Sequence, residues 1–337
     1  MTALRSALAL GVLVLAGVLA PGSSATVGAA PDASRETVDL EALPRGPRPA
    51  FAYLVRTKLY LPSGVSRELS IPPGWDTSRQ TLLGPSPRGW VFKDATHGGA
   101  RLYTVKGKTR ARLVPGEYKG FISYRLGLDR RHVLGLEFDY HQDTSTATVF
   151  DLTGKVIRRT SFNGEARLLS FTGTRAVVSA NRTWDWVIGE PKVPVSAAPS
   201  EAADIRRDVL FVPGGDLGHG PTSLSSPGTP AWTAEFRPRL VSPTGSYVVG
   251  YTDNGTTLEV RAMSDGSLVR SISTGHRPGA ALLWESDDTL AFAGYAGYDV
   301  GRALVRCQVA GPCERATPWT GPQNLISVSF QPPRTDG

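Results

Sequence analysis

Residues 242–251 read SPTGSYVVGY, a proline-glycine turn signal running straight into a short apolar strand. The same arrangement returns as PRGWVFKD at 87, DRRHVLGLEF at 129, TGTRAVVSA at 172, IRRDVLFVP at 205 and SDDTLAFAG at 286. PAFAYLV at 49 is a further copy without the turn residues. Successive copies lie about 32 to 45 residues apart.

A second element lies between the copies, a hairpin whose turn is built on glycine. KLYLPSGVSRELS, RLYTVKGKTRARL, TVFDLTGKVIRRT, LEVRAMSDGSLVRS and LVRCQVAGPCERA centre on Gly64, Gly107, Gly154, Gly266 and Gly311. Tight hairpin turns demand positive φ, which glycine adopts without a side-chain clash. WVIGEPKVPV around Gly189 is a weaker copy, and the run GGDLGHGPTSLSSPGTP must hold or interrupt another.

A turn-strand followed by a glycine hairpin, repeated at about 40 residues, is the signature of a four-stranded β-propeller blade. The fold expected is all-β, a single β-propeller, with seven four-stranded blades as the count and six or eight as its neighbours. Stacked sandwiches would not keep so regular a repeat. No long segment places apolar residues at i, i+3, i+4 and i+7, so very little helix is expected. The 37 glycines and 26 prolines are spread along the whole chain, as many turns require.

The ring has a predicted point of closure. GFISYRLGL, ARLLSFTG, RPRLVSPTG and AALLWESDD precede their turns as patterned strands, but the first copy follows the proline-rich PRGPRP instead. NLISVSFQPP near the C-terminus matches ARLLSFTG. Leu325 to Phe330 are therefore expected to supply the innermost strand of the first blade, removing sheet edges that invite aggregation.

SPTGSYVVGY with LEVRAMSDGSLVRSIST, and DRRHVLGLEF with TVFDLTGKVIRRTSF, resemble the repeats of exported bacterial propellers of the TolB-like and WD40-like kind. The likeness is spread over about 51–330. The chain departs from the pattern: no Gly-His pair opens the blades, no Trp-Asp pair closes them regularly, and no TolB amino-terminal domain precedes the ring. Trp184-Asp185 falls inside a strand-like segment. The resemblance implies an architecture and carries over neither a WD40 tetrad nor TolB's partners.

The first residues read as a secretory leader. Arg5 precedes an apolar run from Ala7 to Ala20, followed by Pro21, Gly22 and small residues. That run is shorter than the roughly 20 residues a membrane-spanning helix needs. The domain organisation expected is a signal peptide over 1–30, a proline-rich linker over 31–49, the propeller over 50–331 and a tail over 332–337. After signal removal no transmembrane segment is expected, and the localisation read is secreted or cell-envelope associated, from a bacterium.

The net charge of +7 is modest for 337 residues, and its arginines sit singly or in pairs among acidic residues. No phosphate-tracking stripe is present, so nucleic acid is not an expected partner. Cys307 and Cys313 flank the turn signal Gly311-Pro312 and are expected to form a disulfide in an oxidising compartment.

Chemistry leaves little local trace. No G-x-S-x-G elbow occurs, and His97, His132, His141, His219 and His276 show no HExxH spacing. No catalytic residue, metal or cofactor is implied. EFDYHQD at 137–143 would place Glu137, Asp139, His141 and Asp143 on one strand face if the strand continued, a weak candidate set for a hard cation. Tyr295 and Tyr298 in a glycine-rich loop, and Asp216 and His219 in the long run 213–231, are candidate ligand or partner positions. The runs 195–203 and 213–231 exceed ordinary connection lengths and are expected to project from one face. Trp90, Trp184, Trp186, Trp232, Trp284 and Trp319 are expected to fill the space between blades. The function expected is a monomeric, non-catalytic scaffold binding a protein, peptide or envelope polymer. The alternative is a propeller hydrolase or lyase acting on a saccharide or lactone.

Overall fold

The structure is a computed structural model describing residues 34–328, apart from 70–79, 97–98, 107–109, 114–120, 253–254, 277, 279–280 and 322–323. The segment read as a leader, Gly107 and residues 329–337 lie outside the described residues.

The turn that opens the repeat is built as its residues suggest. Gly245 takes φ 88° and donates to the Ser242 carbonyl at 3.0 Å, while the Ser242 hydroxyl accepts from the Tyr247 N–H at 3.1 Å. The strand Tyr247–Tyr251 follows. Its centre explains the whole architecture. Val248 and Val249 are both fully buried, and adjacent strand residues point to opposite faces. Val248 packs with Phe211 and Phe236, whereas Val249 packs with Trp284 and Phe292. A sheet that is apolar on both faces must be flanked on both sides.

Every other blade repeats this division, with Tyr53 and Leu54 supplying it in blade 1. Val91 and Phe92, Val133 and Leu134, Val177 and Val178, Leu210 and Phe211, and Ala291 and Phe292 are adjacent residues assigned to two different clusters. Seven clusters lie between seven successive pairs of sheets, which makes the arrangement a closed ring.

Blade 1 joins the strand Ile326–Val328 to Tyr53–Val55, Lys58–Tyr60 and Ser66–Glu68. Val328 pairs with Tyr53 and Ile326 with Val55, both antiparallel, so the C-terminal strand closes the ring where the repeat pattern placed it. Blade 2 is Gln80–Ser86, Gly89–Thr96, Gly99–Lys106 and Arg110–Leu113. Blade 3 is Phe121–Leu126, His132–Asp139, Thr144–Asp151 and Val156–Asn163. Blade 4 is Arg167–Phe171, Arg175–Ser179, Thr183–Val187 and Val193–Ser196. Blade 6 contains Arg237–Val241, Tyr247–Tyr251, Thr257–Ala262 and Leu268–Ser273. Blade 7 is Leu282–Trp284, Thr289–Tyr295, Arg302–Gln308 and Cys313–Arg315.

Blade 5 is irregular, and here the two long runs differ from expectation. Its strands are Ala202–Asp204, Val209–Pro213 and His219–Ser223. The glycine-rich run therefore contributes the third strand instead of projecting. Residues 231–234 return along that strand: the Ala231 N–H reaches the Pro221 carbonyl, and His219 and Ala234 exchange hydrogen bonds. Gly220 permits this approach, since a Cβ there would stand 1.6 Å from the Trp232 carbonyl oxygen. The run 195–203 is likewise held down. Ser200 is fully buried, its N–H donating to the Thr183 hydroxyl at 2.9 Å.

Residues 34–48, within the segment read as a linker, lie along the outside of blades 6 and 7. Ser34–Thr37 adds a parallel fifth strand to blade 6, Val38 and Leu40 enter the cluster between blades 6 and 7, and Arg45 bridges to Arg315. Two arginines fasten this strap. Arg270, 2% exposed, donates to Glu36, to the carbonyls of Gln308 and Gly311, and to the Cys313 sulfur. Arg306 pairs with Glu285 and Glu314 and donates to the carbonyls of Pro47 and Arg48. Cys307 and Cys313 form a disulfide across paired positions of the last hairpin, and so short a loop contributes about 2 kcal/mol on the chain-entropy account.

Because each blade is an antiparallel meander, turns after the first and third strands lie on one face of the ring. Loops after the second strand, with the connections between blades, lie on the other. We call these the turn face and the loop face.

Two outcomes follow from this construction. A chain ending before Leu325 lacks the inner strand of blade 1 and is expected to be insoluble; a soluble monomeric product would refute closure by that strand. Arg306→Met leaves the buried Glu285 without its partner and is expected to lower unfolding free energy by about 3–5 kcal/mol in urea titrations, whereas an unchanged midpoint would show that the strap is held by other contacts.

Candidate functional site

The candidate ligand and partner residues of the sequence fall toward the loop face, but on separate blades. In blade 3 the second strand ends at Asp139, so the condition for a row from Glu137 to Asp143, a strand that continues, is not met. The Asp139 carboxylate instead accepts the N–H groups of His141 at 2.8 Å and Gln142 at 3.3 Å, and Asp143 turns the chain with φ 49°. That geometry makes Asp139 a turn-former. Tyr140 stands 79% exposed beside it, edge-on to Phe138 at 4.7 Å.

In blade 5, Asp216 sits in a one-turn 3-10 segment, Gly215–Leu217, and His219 starts the third strand. His219 is one of the charges acting on Glu201, a residue the sequence reading missed. Glu201 lies in the connection from blade 4 to blade 5 and accepts both arms of the Arg167 guanidinium at 3.2 Å, with Arg239 at 3.9 Å. Burial raises its pKa, but the Arg167 hydrogen bonds and the nearby charges of Arg167, Arg239 and His219 outweigh burial and hold the carboxyl below its ordinary value.

In blade 7, Tyr295 closes the second strand and Tyr298 stands in the following loop, 82% exposed. Their rings meet edge-on at 6.0 Å, and His276, from the connection between blades 6 and 7, meets Tyr295 edge-on at 5.6 Å. The Arg302 guanidinium lies 5.0 Å from the Tyr295 ring centre. The two tyrosines thus belong to a four-residue cluster. His276 is twenty-two residues from Tyr298 in the sequence, and no local pattern joins them. The tryptophans lie inside: Trp186 is fully buried between blades 3 and 4, and Trp232 donates to the Met263 carbonyl at 2.9 Å between blades 5 and 6.

The inner strands of blades 2 to 7 surround a cavity of about 340 Å³. Leu83, Leu126, Leu240, Leu283 and Trp284 supply apolar walls, and Thr81, Ser123 and Ser170 supply hydroxyls. Its charged residues are Arg125, Arg206, Arg239 and Asp204. Asp204 is already engaged, accepting from the Arg206 N–H at 2.9 Å and from the Arg207 guanidinium. Guanidinium groups stay protonated throughout the accessible pH range, so this lining suits holding a charge more than moving a proton. Among the described residues no group of three or more His, Cys, Asp or Glu side chains is placed to hold a metal ion, and no helix is long and apolar enough to cross a membrane.

No protein-family model matches the chain, and no curated protein matches it. Solved structures do share its fold. An uncharacterized protein from Listeria monocytogenes EGD-e is 8% identical with a TM-score of 0.52, covering 76% of this chain and 86% of its own. The CNH domain of AfRom2 is 12% identical with a TM-score of 0.51, covering 74% and 91%. A chain in the mitotic checkpoint complex is 10% identical with a TM-score of 0.52, covering 73% and 82%. At such identities the likeness concerns the fold alone: this chain is a seven-bladed propeller with neighbours of the WD40 and CNH kind.

The depressed Glu201 pKa fixes the sign of a pH effect. Its stabilisation is complete above the unfolded pKa of about 4.3 and is lost as pH falls through the lower folded value. Thermal melts are expected to show a shallower fall in stability below about pH 4.3 for Glu201→Gln than for the unaltered chain; parallel acid limbs would show that Glu201 is not linked to folding.

Proposed function

We propose that this chain is exported from a bacterial cell and acts as a monomeric, non-catalytic binding module whose loop face engages a protein, peptide or envelope polymer. The observation that carries the reading is the Tyr298, Tyr295, His276 and Arg302 cluster. Tyrosine offers a large contact surface with few rotatable bonds, and tyrosine and arginine dominate the energetics of binding surfaces. An exposed tyrosine backed by a second ring and a guanidinium is a pre-ordered anchor.

Several features support the rest of the reading. The apolar leader pattern and the Cys307–Cys313 disulfide fit an oxidising compartment outside the cytoplasm. One protein of similar fold sits in a multi-protein assembly, the mitotic checkpoint complex. The permanently charged groups of the central cavity favour binding over acid-base catalysis.

The test is sedimentation of the purified mature chain with cell envelopes isolated from the producing organism. The chain is expected to co-sediment, and Tyr298→Ala combined with Tyr295→Ala is expected to weaken this by about tenfold or more, the loss of a central aromatic anchor. Equal co-sedimentation of the variant would remove the loop-face cluster from the function.

A further inference from the structure

We propose that the central cavity is a binding site for a small organic anion, its oxyanion held by Arg125 and Arg239 and its apolar body set against Leu83, Leu240 and Trp284. This site is distinct from the tyrosine cluster on the loop face and does not rest on that cluster's role.

Arg125 carries most of the argument. It lies half-buried on the inner strand of blade 3, where its side chain borders the cavity. One guanidinium nitrogen donates to the Leu169 carbonyl at 2.8 Å. Among the described residues it makes no ion pair with a carboxylate. Burial pulls its pKa below the ordinary arginine value, and no nearby negative charge offsets that. Removing an ion from water costs several kcal/mol unless a counter-charge completes it. A guanidinium kept in such a place, with nitrogens left over, is matched by a ligand's negative charge.

Two of the other three charged residues lining the cavity are also arginines. Arg239 reaches Glu201 only at 3.9 Å, and that carboxylate is already bound by both arms of Arg167. Arg206 lies 3.8 Å from Asp204, which Arg207 holds more closely. The lumen therefore presents three guanidiniums and one carboxylate already in use. The planar fork of arginine fits the paired oxygens of a carboxylate or a phosphate.

Size and wall chemistry narrow the class. About 340 Å³ falls at the lower end of the range for small-molecule sites, too small for a folded partner. Trp284 is 6% exposed, with its indole N–H fixed to the Leu240 carbonyl at 3.3 Å, and so offers a fixed apolar surface. An anion with a compact apolar body satisfies both the walls and the charges. Inorganic phosphate would leave the walls empty.

The experiment is isothermal titration calorimetry of the mature chain with benzoate, phenyl phosphate and the neutral benzyl alcohol. At least one of the two anions is expected to bind at one site, and which of them binds separates a carboxylate ligand from a phosphate ester. Benzyl alcohol is expected not to bind. Arg125→Gln is expected to weaken the bound anion by about tenfold or more. Should that variant fail to fold, Arg239→Gln, at a partly exposed residue, is expected to produce the same loss. Tyr298→Ala should leave the affinity unchanged. Failure of both anions to bind, equal binding of benzyl alcohol, undiminished binding in the folded arginine variant, or loss of binding in Tyr298→Ala would each overturn the proposal.

Discussion

The structure depends on one constraint, that neighbouring residues in a strand point to opposite faces. Val248 and Val249 are both buried, so the sheet that holds them cannot have a solvated face. Each blade then requires two neighbours, and those neighbours require two more. A row of such sheets would always end in exposed apolar faces, and a ring has no ends. Burial of one valine or phenylalanine contributes about 1.5–3 kcal/mol, and the division is repeated around the ring, so closure carries a large share of the stability.

Closure leaves one place where chain connectivity does not join consecutive blades. Blade 1 takes its inner strand from the C-terminal end and its other three from the N-terminal side, with Val328 paired to Tyr53. The strap reinforces the neighbouring region. It runs over blades 6 and 7 before entering blade 1, and the buried guanidiniums of Arg270 and Arg306 bind its backbone and Glu36. Breaking such pairs exposes an uncompensated charge, so their contribution is largest when one partner is lost. The disulfide fixes the hairpin whose carbonyls Arg270 uses.

With the blades spent on burial, chemistry is left to positions where the copies differ. The loop face carries the tyrosine cluster of blade 7, and the lumen carries Arg125 on an inner strand whose counterparts in the cavity wall include Ser170, Leu240 and Leu283. These are two sites of different character. One is an exposed aromatic anchor suited to a large partner, and the other is a small, partly open cavity lined mainly by positive charge. The proposed anion site would also neutralise a charge that folding leaves unpaired.

The sequence by itself determined the repeat, the glycine hairpins, the disulfide pair and the closing strand, because each is a local pattern of turn residues and apolar residues whose meaning survives without knowing its neighbours. It read residues 31–49 as a linker, since a proline-rich segment looks extended whether or not a surface lies beneath it. It offered a ligand row through Asp139 only if the strand continued, and there the carboxylate turns the chain instead. Glu201 with Arg167, His276 with Tyr295, and Arg125 with Arg239 were decided by tertiary structure alone. The first two join a blade to an adjoining connection and the third joins two blades across the cavity, and in each case only folding brings residues far apart in sequence to one place.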